Sequence, residues 1–202
     1  MWGLVESGSI TKIINKPKGL VVGDIRYSRK IFELWSKSEL EAIGIYEVEF
    51  DDSNKKNEKW YINTDQSFAF AGGKITASYG SATAKAHADT LFTAQDETDG
   101  LGTEGEVATR GLKYNLIKTV KAQAAGILQD TDWYIVRKAD AGTAVPSSIT
   151  NHRAAVRTKA AEMETAITNA SDTPALETLY TYTEQEDKSV TRPLGELPRL
   201  ES

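Results

Sequence analysis

The chain has no cysteine among its 202 residues, so disulfides, thiolate nucleophiles and sulfur-rich metal sites are all excluded. Their absence leaves the compartment open, because a cysteine-free chain tolerates both reducing and oxidising surroundings. Histidine is nearly as scarce: His87 and His152 lie far apart, and neither has a second histidine or carboxylate at ligand spacing. Both read as surface or capping residues, and no metal or cofactor is expected. No apolar run approaches the roughly 18 residues of a membrane span. Met1-Trp2-Gly3-Leu4-Val5-Glu6 lacks the basic and apolar regions of a signal peptide, so synthesis in a cytoplasm and no membrane contact are expected. Net positive charge is lacking too: at −5, the chain has no broad attraction for phosphate backbones, and no nucleic-acid partner is expected.

Catalytic motifs are equally sparse. No serine sits in a Gly-x-Ser-x-Gly elbow. Gly72-Gly73-Lys74 lies between two strand-like runs, whereas a phosphate loop feeds a helix N-terminus; a tight turn is the reading. Asp130 and Asp132 bracket Thr131 at a predicted helix end, where a hydrogen-bonded turn is a simpler account than paired carboxylate catalysis. Asp96, Glu97 and Asp99 lack the distal bidentate glutamate of a calcium loop and read as a solvated loop. No catalytic residue is assigned, and the chain is expected not to be an enzyme. A glycan-cleaving activity is the alternative from another class, and no carboxylate pair in a cleft speaks for it.

What is present is a folded chain: 40% hydrophobic and 26% charged residues, long enough to bury about 70% of its unfolded surface. The pattern predicts an α+β protein, with a small antiparallel β-rich domain over residues 1–85 followed by a helical-hairpin domain. Glu6-Ser7-Gly8-Ser9 suits a hairpin turn, and Gly72-Gly73 suits another. Ser36 and Glu39 form a capping box ahead of a short helix that Gly44 stops. Ile45 to Phe50 alternates apolar and polar like a half-buried strand. Each of the four tryptophans sits beside apolar residues and reads as a core anchor, with an interface role as the alternative.

Residues 86–105 read as a linker or long loop. The helical domain is expected over 106–183. Leu116, Val120, Ala124 and Ile127 or Leu128 share one face of a helix ending near Gln129. A second long helix starts after Pro146, with Ile149, Val156, Ala160, Met163 and Ile167 in one stripe and Arg153 and Arg157 on the remaining surface. A third covers about Pro174 to Tyr182. Residues 184–202 read as an extended tail.

Ile127-Leu128-Gln129-Asp130-Thr131-Asp132-Trp133, then Val136-Arg137, Val145-Pro146 and His152-Arg153-Ala154-Ala155-Val156-Arg157, resemble a tail-assembly-chaperone-like domain of tailed-bacteriophage tail-fibre and virion proteins. In that family a helix ends in Leu-Leu-x-x-Thr-Asp-Trp and the next carries Tyr-Arg-x-x-Leu-Arg; here His152 and Val156 stand at the Tyr and Leu positions. The likeness covers about residues 106–170, and the β-rich first half is also similar to the start of such proteins. It implies a non-enzymatic virion component of the tail region, made in a host cytoplasm, with other tail or tail-fibre proteins as partners and a homo-oligomeric state; a tail-fibre assembly chaperone is the alternative. Asp130, Asp132, Trp133, Arg153 and Arg157 are the candidate helix-junction or interface residues: Trp133 would fold back over the junction, and the arginines would pair with the aspartates.

Overall fold

In a computed structural model that describes residues 1–200, the chain divides into a first unit, Met1–Thr83, and a second from Ala84 onward. The first is β-rich and the second mainly helical, giving the expected α+β class.

The first unit runs β1 (Trp2–Glu6), β2 (Ser9–Ile14), β3 (Leu20–Val22), β4 (Ile25–Tyr27), α1 (Ile31–Leu34), α2 (Lys37–Ala42), β5 (Ile45–Asp51), β6 (Tyr61–Ile62), β7 (Gln66–Ala71) and β8 (Lys74–Tyr79), with β9 (Thr83–Ala84) at the boundary. Five strands make one sheet in the order β2-β1-β5-β8-β7. It curls into a half-barrel, bringing its edge strands β2 and β7 near each other. Neighbours pair antiparallel except β5 and β8, which run parallel; the chain leaves β5 and returns through β7. The two hairpin turns sit where the sequence puts them. Ser7 and Gly8 both have positive φ, as do Gly72 and Gly73, the backbone that a two-residue hairpin of right-handed twist demands.

Alternation then buries both faces. Leu4, Ile14 and Ile45 pack with Leu20, Ile31 and Leu40 on the side covered by α1 and α2. Val48, Ile75 and Ala77 fill the inside of the curl against Val5, Tyr46, Phe68 and Phe70. Each buried isoleucine contributes about 1.5–3 kcal/mol by leaving water. The capping box on α2 forms as read: the Ser36 hydroxyl accepts from the Glu39 N–H at 3.3 Å, and the Ser36 N–H donates to the Glu39 carboxylate at 2.8 Å. Gly44 follows with φ near 78°, and a Cβ there would lie 2.5 Å from the Val5 carbonyl oxygen, so no other residue fits.

The second unit contains β10 (Thr90–Leu91), α3 (Ala94–Thr98), β11 (Val107–Thr109), α4 (Leu112–Gln129), α5 (Asp132–Ala141), α6 (Ser147–Asn169), α7 (Thr173–Tyr180), β12 (Thr183–Glu184) and β13 (Val190–Thr191). Helices α4 and α6 form an antiparallel hairpin. Lys113 near the start of α4 donates to the Thr168 carbonyl near the end of α6 (2.8 Å), Lys121 meets Glu164 at 3.3 Å, and Arg153 reaches the Leu128 carbonyl at 2.7 Å. Leu116, Val120 and Ala124 of α4 are buried, as are Ile149, Val156, Ala160, Met163 and Ile167 of α6. Leu176 of α7 is also wholly buried.

Two stretches hold more structure than their composition suggests. The linker or long loop expected over 86–105 carries β10 and α3, the latter opened by a Thr93–Asp96 capping box. Its first residues cap α4: the N–H groups of Leu112 and Lys113 donate to the carbonyls of Ala86 and His87, both at 3.0 Å. Asp89 accepts from the Gly111 N–H at 2.7 Å and from Arg110 at 2.6 Å. These bonds satisfy donors that a helix start leaves free. Gly111 permits the approach, since a Cβ there would lie 2.2 Å from the Ala88 carbonyl oxygen. In the expected extended tail, β12 and β13 pair as a hairpin and Leu194 is buried. An apolar side chain that finds a covered site adds burial that polar composition does not reveal.

Candidate functional site

The residues carrying the sequence motif converge where α4 ends and α5 begins. Helix α4 stops because Thr131, at φ −114° and ψ 4°, leaves the helical path after Asp130, which is still right-handed helical. Three donors converge on the Leu128 carbonyl left open by that stop: the Thr131 N–H at 3.1 Å, the Thr131 hydroxyl at 2.9 Å and the Arg153 guanidinium at 2.7 Å. A cation at a helix C-terminus also meets the negative end of the helix dipole.

Arg153 does more than cap. The nitrogen that bonds Leu128 also donates to the Thr131 hydroxyl at 2.6 Å, and its other terminal nitrogen meets the Asp132 carboxylate at 2.8 Å. One planar side chain therefore holds the last turn of α4, the break residue and the first residue of α5. Its side chain is 9% exposed, while that of Asp132 is 55% exposed. The ion pair is thus wet on the acid side and dry on the base side. Thr131 itself is buried, so its contact with Arg153 is shielded from water while Asp132 faces solvent.

The candidate residues divide accordingly. Asp132 and Arg153 come together as the arginine–aspartate pair. Asp130 and Arg157 are exposed, and no ion pair among the described residues involves either. Arg153 is buried, whereas a place on the remaining surface was expected; it lies four residues after Ile149 and three before Val156, hence on the apolar stripe. Thr131 was expected to cap or turn the chain after the helix and was not among the candidate residues, yet its hydroxyl is central to the junction. The burial of a threonine at a helix break has no composition signal.

Trp133 also departs from expectation. It does not fold back over the junction, because the chain resumes helix at Asp132 and carries the indole outward, 49% exposed. Its ring lies 3.9 Å from that of Tyr134, with the Arg137 guanidinium 4.6 Å above it. A cation stacked on an exposed indole contributes about 0.5–1 kcal/mol. Helix α5 as a whole buries no residue and leaves Ile135 and Val136 44% and 65% exposed. It ends at Gly142, whose positive φ makes a left-handed cap.

Chemically, this arrangement positions a helix: one guanidinium ties the end of α4 to the start of α5. Among the described residues no group of three histidine or carboxylate side chains is placed to hold a metal ion, and no helix is long and apolar enough to cross a membrane. Comparison of the chain with protein-family models, curated proteins and solved structures gives no match.

Proposed function

We propose that this chain is a non-enzymatic structural protein of a tailed-phage virion, associated with the tail or its fibres and working through protein–protein contacts in an oligomeric assembly. The observation that carries the reading is α5: a helix held by a polar clamp at its start, with Trp133, Ile135 and Val136 turned to solvent. Clustered exposed apolar side chains mark interaction surfaces, and tryptophan and arginine are enriched in them. The reading draws further support from the motif: its Thr131, Asp132 and Arg153 meet in one place, as a shared helix-junction device requires.

The partners under this reading are other tail or tail-fibre proteins, and the chain, made in the host cytoplasm, resides in the tail region of the particle. Quantitative mass spectrometry of purified particles tests it, with several copies per particle as the expected result. Absence from particles, combined with fibre proteins that become soluble only on co-expression with this chain, replaces it with the assembly-chaperone alternative. Absence with no effect on fibre solubility ends both.

A further inference from the structure

Beside the α4–α5 junction the second unit carries a groove of about 800 Å³. Gly126, Ile127 and Asp130 line it from α4 and its end, Met163 from α6, and Leu197 and Arg199 from the C-terminal segment. The stretch leading into that last wall is tied down. Leu194 is buried, its N–H donates to the Leu179 carbonyl at 3.0 Å, and Glu196 accepts from Tyr182 at 2.6 Å and from Arg192 at 2.8 Å. Arg192 and Glu196 therefore satisfy each other, and the other charged residues lining the groove are Asp130 on the α4 wall and Arg199 on the opposite one. No ion pair among the described residues involves either.

Gly126 is the unexpected feature. Glycine is the poorest helix former after proline, yet it stands inside α4, where a Cβ would meet nothing within 4 Å. Among the described residues nothing fills the space of the missing side chain, so the α4 backbone lies open there to close approach by another chain.

We infer that the groove receives α5 of a second copy of this chain, in a reciprocal exchange that forms a two-fold dimer. The charges argue for that occupant. At 100° per residue, Ile135, Val136 and Ala139 fall together on the outward side of α5, while Tyr134 and Arg137 face inward and are half-buried. Lys138 flanks the apolar stripe on one edge and Asp140 on the other, both exposed and outside every ion pair among the described residues. A helix with a base and an acid on opposite edges thus matches a groove with an acid and a base on opposite walls. Lys138 pairs with Asp130, Asp140 with Arg199, and the apolar stripe lies over Gly126, Ile127 and Met163. Because α5 begins two residues after Asp130, donor helix and acceptor groove are neighbours on each copy, and two reciprocal insertions close the pair. The inference rests on the reading of this chain as a protein that works through its surfaces, and it names one partner for it.

Sedimentation equilibrium of the full chain, with helical circular dichroism as the control for folding, tests the exchange. The wild type is expected to dimerise at micromolar concentration. Gly126→Leu, which fills the groove while favouring helix, and Val136→Asp, which charges the stripe, are each expected to weaken the dimer at least about tenfold. Asp130→Lys and Lys138→Asp are expected to weaken it singly and restore it together. A wild type that stays monomeric at high micromolar concentration overturns the exchange, as does a dimer indifferent to Gly126→Leu and Val136→Asp. A monomer that is nonetheless present in purified particles overturns the exchange and leaves the structural role standing.

Discussion

Helix α6 buries Ile149, Arg153, Val156, Ala160, Met163 and Ile167, whereas α5, the helix just before it in the chain, buries nothing. The first is held by apolar area removed from water along its length. The second is held mainly at one end, by hydrogen bonds and an ion pair to an arginine that α6 supplies. Burial is additive and nondirectional, so α6 tolerates small shifts. A clamp of three acceptors on one guanidinium is directional, and it sets the angle at which α5 leaves the hairpin. Specified placement with little burial is what a helix needs if its apolar side is to remain available to another chain.

The sharpest way to break the comparison is to attack the α6 stripe. Val156→Asp puts a charge where no water reaches, and loss of cooperative unfolding of the second unit is expected by thermal denaturation. Ile167→Ala at the same stripe is expected to cost about 2–5 kcal/mol in a urea titration. Removing the clamp comes next. Arg153→Met keeps the stem but leaves the Leu128 carbonyl and the Thr131 hydroxyl without their charged donor, and a loss of about 2–4 kcal/mol is expected. Its signature is local: amide exchange across 132–141 accelerates far more than exchange across α6. If both helices accelerate equally, the clamp has no special hold on α5.

Asp132→Asn tests the wet side of the pair. Arg153 keeps its two other acceptors and the acid is half exposed, so the expected cost is about 0–1 kcal/mol. The smallest effect concerns acid. Hydrogen bonding from the Gly111 N–H, then from Arg110, holds the Asp89 carboxyl below its ordinary value of 3.8. A carboxyl depressed in the folded state gives stability that is fully present above that ordinary value and lost as pH falls through the folded one. Asp89→Asn is therefore expected to flatten the pH dependence of exchange at the start of α4 in this acid range, leaving α5 unchanged. A slope that persists in the variant assigns the acid response elsewhere.

Much of this architecture was legible in the residues. The Ile149–Ile167 stripe, the start of α6 after Pro146, the end of α4 near Gln129, the capping box of α2 and the two hairpin turns follow from periodicity and from local backbone chemistry. The junction was legible only in part. Asp132 and Arg153 were candidates by their charge and their place in the motif, but Trp133 was expected to turn back and Arg157 to pair. Resumption of helix at Asp132 decided both outcomes, because ten more residues of helix carry the indole outward. The spacing of Arg153 against Ile149 and Val156 already placed it on the buried side; charge argued for the surface, and geometry prevailed because Leu128, Thr131 and Asp132 supply acceptors there.

The sequence alone determined the α+β class, the apolar stripe of the helical hairpin and the tight turns, since each depends on residues close together along the chain. Tertiary structure alone decided the parallel pairing of β5 with β8, the capping of α4 by residues 86–89, and the contact of Arg153 with a carbonyl 25 residues earlier in the chain. Those contacts join groups far apart in sequence, and no local preference records which distant acceptor a buried donor will meet.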